Sequence, residues 1–137
     1  MKTRVRKSIL LMLTTLLFAV LLTACGKEKI DMDRFEVKLK YGYGDTLRMS
    51  CYAPFYIDVT NHGKDFSGTV QLIIPTSSGN TLYEKEISIP AGATKSVTVV
   101  GEVTQAIHNV NIRIGEDTEH VVWKKLFLVD VVEENED

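Results

Sequence analysis

The chain has 137 residues, with 16 Lys and Arg against 18 Asp and Glu, and two cysteines. This length suits a single domain with its own core. Four of the basic residues (Lys2, Arg4, Arg6 and Lys7) fall in the first seven positions with no acid among them. The body that follows is therefore acidic, which excludes nucleic acid as its expected partner, because that ligand requires a basic stripe.

After the basic start comes an apolar run from Ile9 to Leu22, broken only by Thr14 and Thr15. Its 14 residues would make a helix of about 21 Å, short for a bilayer core of about 30 Å. A basic segment, a short apolar segment and then small residues describe a secretory signal peptide. The sequence that closes it, Leu22-Thr23-Ala24-Cys25, resembles the lipobox of bacterial lipoproteins. That resemblance implies cleavage between Ala24 and Cys25 and a diacylglyceryl thioether on the Cys25 sulfur. It implies a chain held by its lipid at the extracytoplasmic face of the cell membrane, with no cofactor beyond that lipid. Gly26 follows the cysteine, so the aspartate that retains some lipoproteins at an inner membrane is absent.

Removal of residues 1–24 leaves 113 residues carrying 12 basic and 18 acidic side chains, a net charge of −6. With Cys25 lipidated, Cys51 has no partner within the chain. It is then expected to be a small buried hydrophobe, with intermolecular pairing as the alternative. A disulfide-stapled fold is excluded on that reading.

Residues 25–34 are charged and form a tether. Beyond them the pattern changes to a period of two, the mark of half-buried strands. Phe35, Val37, Leu39 and Tyr41 alternate with Glu36, Lys38 and Lys40. Leu47, Met49 and Cys51 form a second strand, and Pro54 punctuates because it lacks an N–H for a mid-strand ladder. Phe55, Ile57 and Val59 follow, then strands at 69–74, 82–89, 96–100, 110–114 and 121–129. Glycine, proline and asparagine turns stand between them, among them Asn61-His62-Gly63 and Pro90-Ala91-Gly92. Segment 101–108 has no clear pattern, and residues 131–137 read as an acidic tail. Short strands at this spacing predict an all-β fold, an immunoglobulin-like β-sandwich of about seven to eight antiparallel strands over residues 35–130, preceded by the signal-peptide helix.

Tyr52-Ala53-Pro54-Phe55-Tyr56-Ile57-Asp58-Val59-Thr60-Asn61-His62-Gly63, with Phe66-Ser67-Gly68-Thr69-Val70, is similar to the opening of bacterial CARDB-like and related Ig-like extracellular domains. Ile89-Pro90-Ala91-Gly92 through Val97-Thr98-Val99 resembles their later "I-P-A-G…V-x-V" element. More narrowly, the pair looks like the N-terminal Ig-like domain of uncharacterised exported membrane proteins from Firmicutes. These motifs cover about 50 of the 113 residues and occupy turns and core positions, so they imply a fold more than a function. Such domains often lead into further domains and a membrane helix, and this chain stops after one.

No catalytic residue suggests itself. His62, His108 and His120 lack metal-ligand spacing, and the serines lack the glycines of a nucleophile elbow. There is no phosphate-cradling loop and no CxxC pair. Asp45, Asp58, Asp65 and the run Glu116-Asp117-Thr118-Glu119 are turn acids without the twelve-residue calcium loop. No metal site is therefore expected. Tyr43, Tyr52 and Tyr56 are the candidate interaction surface, set against the reading that they pack at strand ends. Trp123 is expected in the core. The expected function is a lipid-anchored, non-catalytic protein-interaction or adhesion module. The alternatives are an accessory subunit of a membrane complex, and a glycan or small-ligand binder using the tyrosines.

Overall fold

A computed structural model describes residues 2–22 and 29–132. Thr23, Ala24 and Cys25 of the lipobox, and the acidic residues 133–137, lie outside the described residues. Helix α1 spans Lys2–Leu22. Its two threonines return their hydroxyls to backbone carbonyls one turn back, Thr14 to Leu10 and Leu11, and Thr15 to Leu11 and Met12. Two polar side chains thus sit in the apolar run with their donors satisfied. Among the described residues no helix is long and apolar enough to cross a membrane.

The rest is β-structure: β1 Phe35–Tyr41, β2 Leu47–Arg48, β3 Cys51–Asn61, β4 Phe66–Thr76, β5 Gly79–Ile89, β6 Thr94–Val103, β7 Asn109–Gly115, β8 Val121–Leu128 and β9 Val131–Val132. A three-stranded sheet, β1-β3-β6, faces a four-stranded sheet, β5-β4-β7-β8. All pairings in these two sheets are antiparallel. The core lies between them. Phe55, Ile57 and Val59 on β3 and Val99 on β6 meet Val70, Leu72 and Ile74 on β4 and Val110, Ile112 and Ile114 on β7. Trp123 joins them from β8, as its place in the pattern predicts, and its indole N–H donates to Met32 O at 3.2 Å. With the Asp31 N–H on Val122 O at 3.0 Å, this bond docks the end of the expected tether against the sandwich.

The structure departs from the sequence reading in four places. Pro54 lies inside β3, the middle strand of its sheet. It is tolerated because its nitrogen faces the end of β1: Gly42 N–H donates to Pro54 O at 2.8 Å, and there Gly42 turns out of the ladder at φ +58°. The reciprocal bond that proline cannot make thus falls where the ladder already ends. The expected second strand shrinks to Leu47–Arg48, because Ser50 adopts φ +58° and interrupts the strand before Cys51. Cys51 keeps the inward parity of Ala53 and Phe55 but is exposed, not buried, because it stands at the outer end of β3, beyond the last β1 partner. Finally, the first three residues of segment 101–108 are strand, since β6 runs to Val103, and Val131–Val132 pair in parallel with Leu47–Arg48 instead of starting a tail.

The motif residues have structural work at the end where the chain enters. Asn61 is fully buried. Its Nδ2 donates to Lys64 O at 2.6 Å and Ile89 O at 3.1 Å, and its Oδ1 accepts from Gly63 N–H at 3.0 Å. Gly92, at φ +73°, donates its N–H to Asn61 O at 2.8 Å. Arg34 lays its guanidinium 5.2 Å from the ring centres of both Phe35 and Phe66, which themselves pack edge to face.

At the β7–β8 turn Asp117 accepts from the backbone N–H groups of Glu119 and His120 and contacts the His120 ring. The His120 amide, then its imidazole and the Glu119 amide, hold the Asp117 carboxyl below its ordinary value. The folded value lies below the unfolded one, so this hold is complete above the ordinary carboxylate range and is lost as pH falls through the depressed value. The Glu119 and His120 amide resonances should therefore titrate below the midpoint of a free aspartate, and Asp117→Asn should abolish that step. Titration at the free-aspartate midpoint would contradict it.

Candidate binding site

β1 and β3 run in opposite directions, so Tyr41 and Cys51 stand at one end of the sandwich while Phe35 and Asn61 stand at the other. The chain enters beside Phe35. From there β1 carries it about 20 Å, at about 3.4 Å per residue, to the far end. That far end carries the tyrosines.

Residues 42–46 form a tight loop there. Gly42, Gly44 and Asp45 all have positive φ. An added Cβ on Gly42 would collide with the Thr46 carbonyl, so only glycine closes this loop without displacing its backbone. The loop holds Tyr43 87% exposed. On β3, Phe55, Ile57 and Val59 point inward, so Tyr52, Pro54, Tyr56 and Asp58 have outward parity. Tyr52 is 69% exposed, and Tyr56 is exposed as well. Beside them Val100 stands in register with Pro54 and is exposed. The three candidate tyrosines therefore do not pack at strand ends. Tyr41 does: it lies partly buried against the core, and its hydroxyl accepts from Asp130 N–H at 3.1 Å.

Between the 42–46 loop and the start of β3 lies a cleft of about 630 Å³. Tyr43 and Tyr52 line it, with Arg48, Thr46, Cys51 and Ala53. A shallower cleft of about 300 Å³ on the other side of Gly42 is lined by Tyr56, Lys40 and Asp45. The sequence reading had the tyrosines but missed Arg48 and Cys51 as their neighbours. Cys51 shares the inward parity of Ala53 and Phe55, and alternation alone does not reveal its exposure at the first position of β3. The cleft offers aromatic faces, one guanidinium and a thiol, with no histidine or carboxylate along its walls. Such a set can stack and hydrogen-bond a ligand, but it contains no general base to activate the thiol.

The other candidates stay apart. His62 is 3.5 Å from Glu36 at the entry end, His120 belongs to the Asp117 turn, and His108 is exposed just before β7. Asp58 accepts from Ser96 Oγ at 2.5 Å and Asp65 from Ala91 N–H at 2.9 Å, each within its own local structure. Among the described residues no group of three or more His, Cys, Asp or Glu is placed to hold a metal.

Two facing antiparallel sheets of three and four strands define an immunoglobulin-like sandwich. Among solved structures the chain is similar to the CARDB domain of the PF1109 protein from Pyrococcus furiosus, which was crystallised in complex with di-metal ions. The two share 20% identity at a TM-score of 0.52, covering 78% of this chain and 99% of that one. That likeness carries the fold. The chain belongs to the family described as a domain of unknown function, DUF8726, whose model matches residues 34–129. No curated protein matches it.

Proposed function

We propose that the chain is a lipid-anchored, extracytoplasmic, non-catalytic interaction module that binds a protein partner through Tyr43, Tyr52 and Tyr56. Cys25 would carry the lipid after cleavage at Ala24, residues 26–34 would form the tether, and the sandwich would stand outside the membrane. One observation supports this above the others: the exposed tyrosines are at the end of the sandwich opposite the entry of the chain. A domain tethered at Phe35 would present them outward, away from the bilayer.

The residue types fit a protein partner. Tyrosine gives large contact area with few rotatable bonds, and aromatics and arginine are enriched at interface centres. The cleft volume is also within the range of small-ligand sites, so a glycan is the competing occupant.

The test is crosslinking of the tagged full chain in its own membranes, followed by identification of what is retained. Wild type should retain a discrete protein, and Tyr43→Ala/Tyr52→Ala should lose it roughly tenfold or more, as expected for interface anchors. Both side chains are exposed, so folding should change by no more than about 0.5 kcal/mol. Equal retention by the variant would refute the tyrosine surface, and retention of glycan without protein would transfer the site to the competing occupant.

A further inference from the structure

The outward face of the four-stranded sheet is built differently from that of its partner sheet. Leu72, Ile112 and Trp123 point to the core, so the intervening positions face outward. Register places Leu82, Ile73, Asn111 and Leu126 in one row across β5, β4, β7 and β8. Leu128 continues that apolar end along β8. Leu126 is 51% and Leu128 81% exposed, and Leu82 is exposed too.

The adjacent row is Glu84, Gln71, Arg113 and Lys124. Acid therefore sits on β5, at one edge, and base on β7 and β8, at the other. Glu84 takes hydrogen bonds from neutral donors, Gln71 Nε2 at 2.9 Å and Thr118 Oγ1 at 3.1 Å. The ion pairs found among the described residues lie elsewhere, at Glu36 and Asp117.

We propose that this face is a homodimer interface, in which two copies pack face to face about a two-fold axis parallel to the strands. Such an axis, lying between the faces, sets β5 of one copy over β8 of the other and keeps each row level with itself. Leu82 then meets the partner's Leu126, and Glu84 meets the partner's Lys124. The other in-plane axis, across the strands, stacks β5 on β5 and β8 on β8, opposing acid to acid and base to base. Charge thus selects the parallel axis, as complementarity in an isologous contact requires. Both chains then enter from the same end, the arrangement two tethered copies need. The tyrosine surface is on the other sheet and stays free, so this dimer rests on the proposed membrane anchor but not on partner binding by the tyrosines.

Four strands about 4.8 Å apart span about 14 Å from β5 to β8, and eight residues along them about 25 Å. In projection that is a few hundred Å² per partner, below the roughly 800 Å² of a standard interface. The dimer is accordingly weak in dilute solution, and trapping is the measurement that reads it. In a Cys51→Ser background, the full chain carrying Glu84→Cys and Lys124→Cys is oxidised in membranes. The two positions are three strands apart in one copy, about 14 Å, too far for a disulfide within the chain. The pair should run at twice the chain mass, and each single-cysteine variant far less. Adding Leu126→Glu and Leu128→Glu, both at exposed positions, should cut the trapped fraction roughly tenfold or more. The proposal is overturned if the pair traps no better than the singles. It is equally overturned if Glu84→Cys alone traps as well, which would place β5 against β5, or if the glutamates have no effect.

Discussion

Replacing Asn61 with alanine should lower the unfolding free energy of the sandwich by about 3 kcal/mol, because it strips three backbone groups in two segments of their side-chain partner at once. The side chain ties the β3–β4 turn, through Gly63 N–H and Lys64 O, to the end of β5 through Ile89 O. Its own backbone carbonyl receives Gly92, so the β5–β6 turn leans on the same residue. Alanine leaves the buried Ile89 O and the part-buried Gly63 N–H and Lys64 O without a side-chain mate, and a buried group left unpaired costs about 1–3 kcal/mol. Asn61→Asp keeps the acceptor but loses both donors and buries a charge, so it should be at least as damaging. Urea unfolding followed by tryptophan fluorescence measures this directly, since the single tryptophan, Trp123, is buried. A loss below about 1 kcal/mol would mean the turns are held by something other than Asn61.

Phe55→Ala should cost more, about 4 kcal/mol, within the range for buried Phe truncations. Phe55 is fully buried on the middle strand of its sheet. It lies over Gly101 of β6, where an added Cβ would stand 2.5 Å from Ile74 Cδ1, 3.3 Å from Phe55 Cε2 and 3.3 Å from Tyr83 Cε2. Three large side chains from β3, β4 and β5 thus fill the space that glycine vacates. Removing one leaves a cavity bordered by a residue with no side chain to move into it. Gly101→Ala alone should destabilise by about 1–3 kcal/mol through overpacking, and by less in the Phe55→Ala background, where space has been opened. If the two changes simply add, the close packing of Phe55 on Gly101 does not govern stability at this point.

These positions show why the fold was readable. Phe55, Ile57 and Val59 alternate with polar neighbours because one side of β3 meets the core and the other does not, and the same rule marked β1 and β7. The V-x-N-x-G and I-P-A-G segments were recognisable as turns, and the structure supplies the reason: Asn61 and Gly92 are each required by specific backbone bonds. What escaped was conformation that residue type does not encode. Ser50 has nothing in its chemistry to announce a positive φ, and Cys51, inward by parity, is exposed because β3 begins with it, past the last β1 partner. Pro54 was read as a strand break by a rule that holds in a complete ladder. Here the ladder ends at that register.

The proposed tyrosine surface was legible in part. Tyr52 and Tyr56 have the same parity as Asp58 and Thr60, an outward signal that outweighs the general tendency of aromatics to pack. Tyr43 could not be placed by parity, since it sits in a loop whose shape depends on Gly42, Gly44 and Asp45 together. The apolar row on the four-stranded sheet was not legible at all. Its members come from β4, β5, β7 and β8, and only the pairing registers bring Leu82, Ile73 and Leu126 into line.

The proposed outward display of the tyrosines depends on lipid at Cys25, because it follows from a tether at the entry end. Intact mass of the chain extracted from membranes, wild type beside Cys25→Ala, tests it directly. A chain that begins at Cys25 and carries a diacylglyceryl group, with both features lost in the variant, is the predicted result. An uncleaved, unmodified wild-type chain would contradict the anchor and leave the sandwich without its proposed orientation.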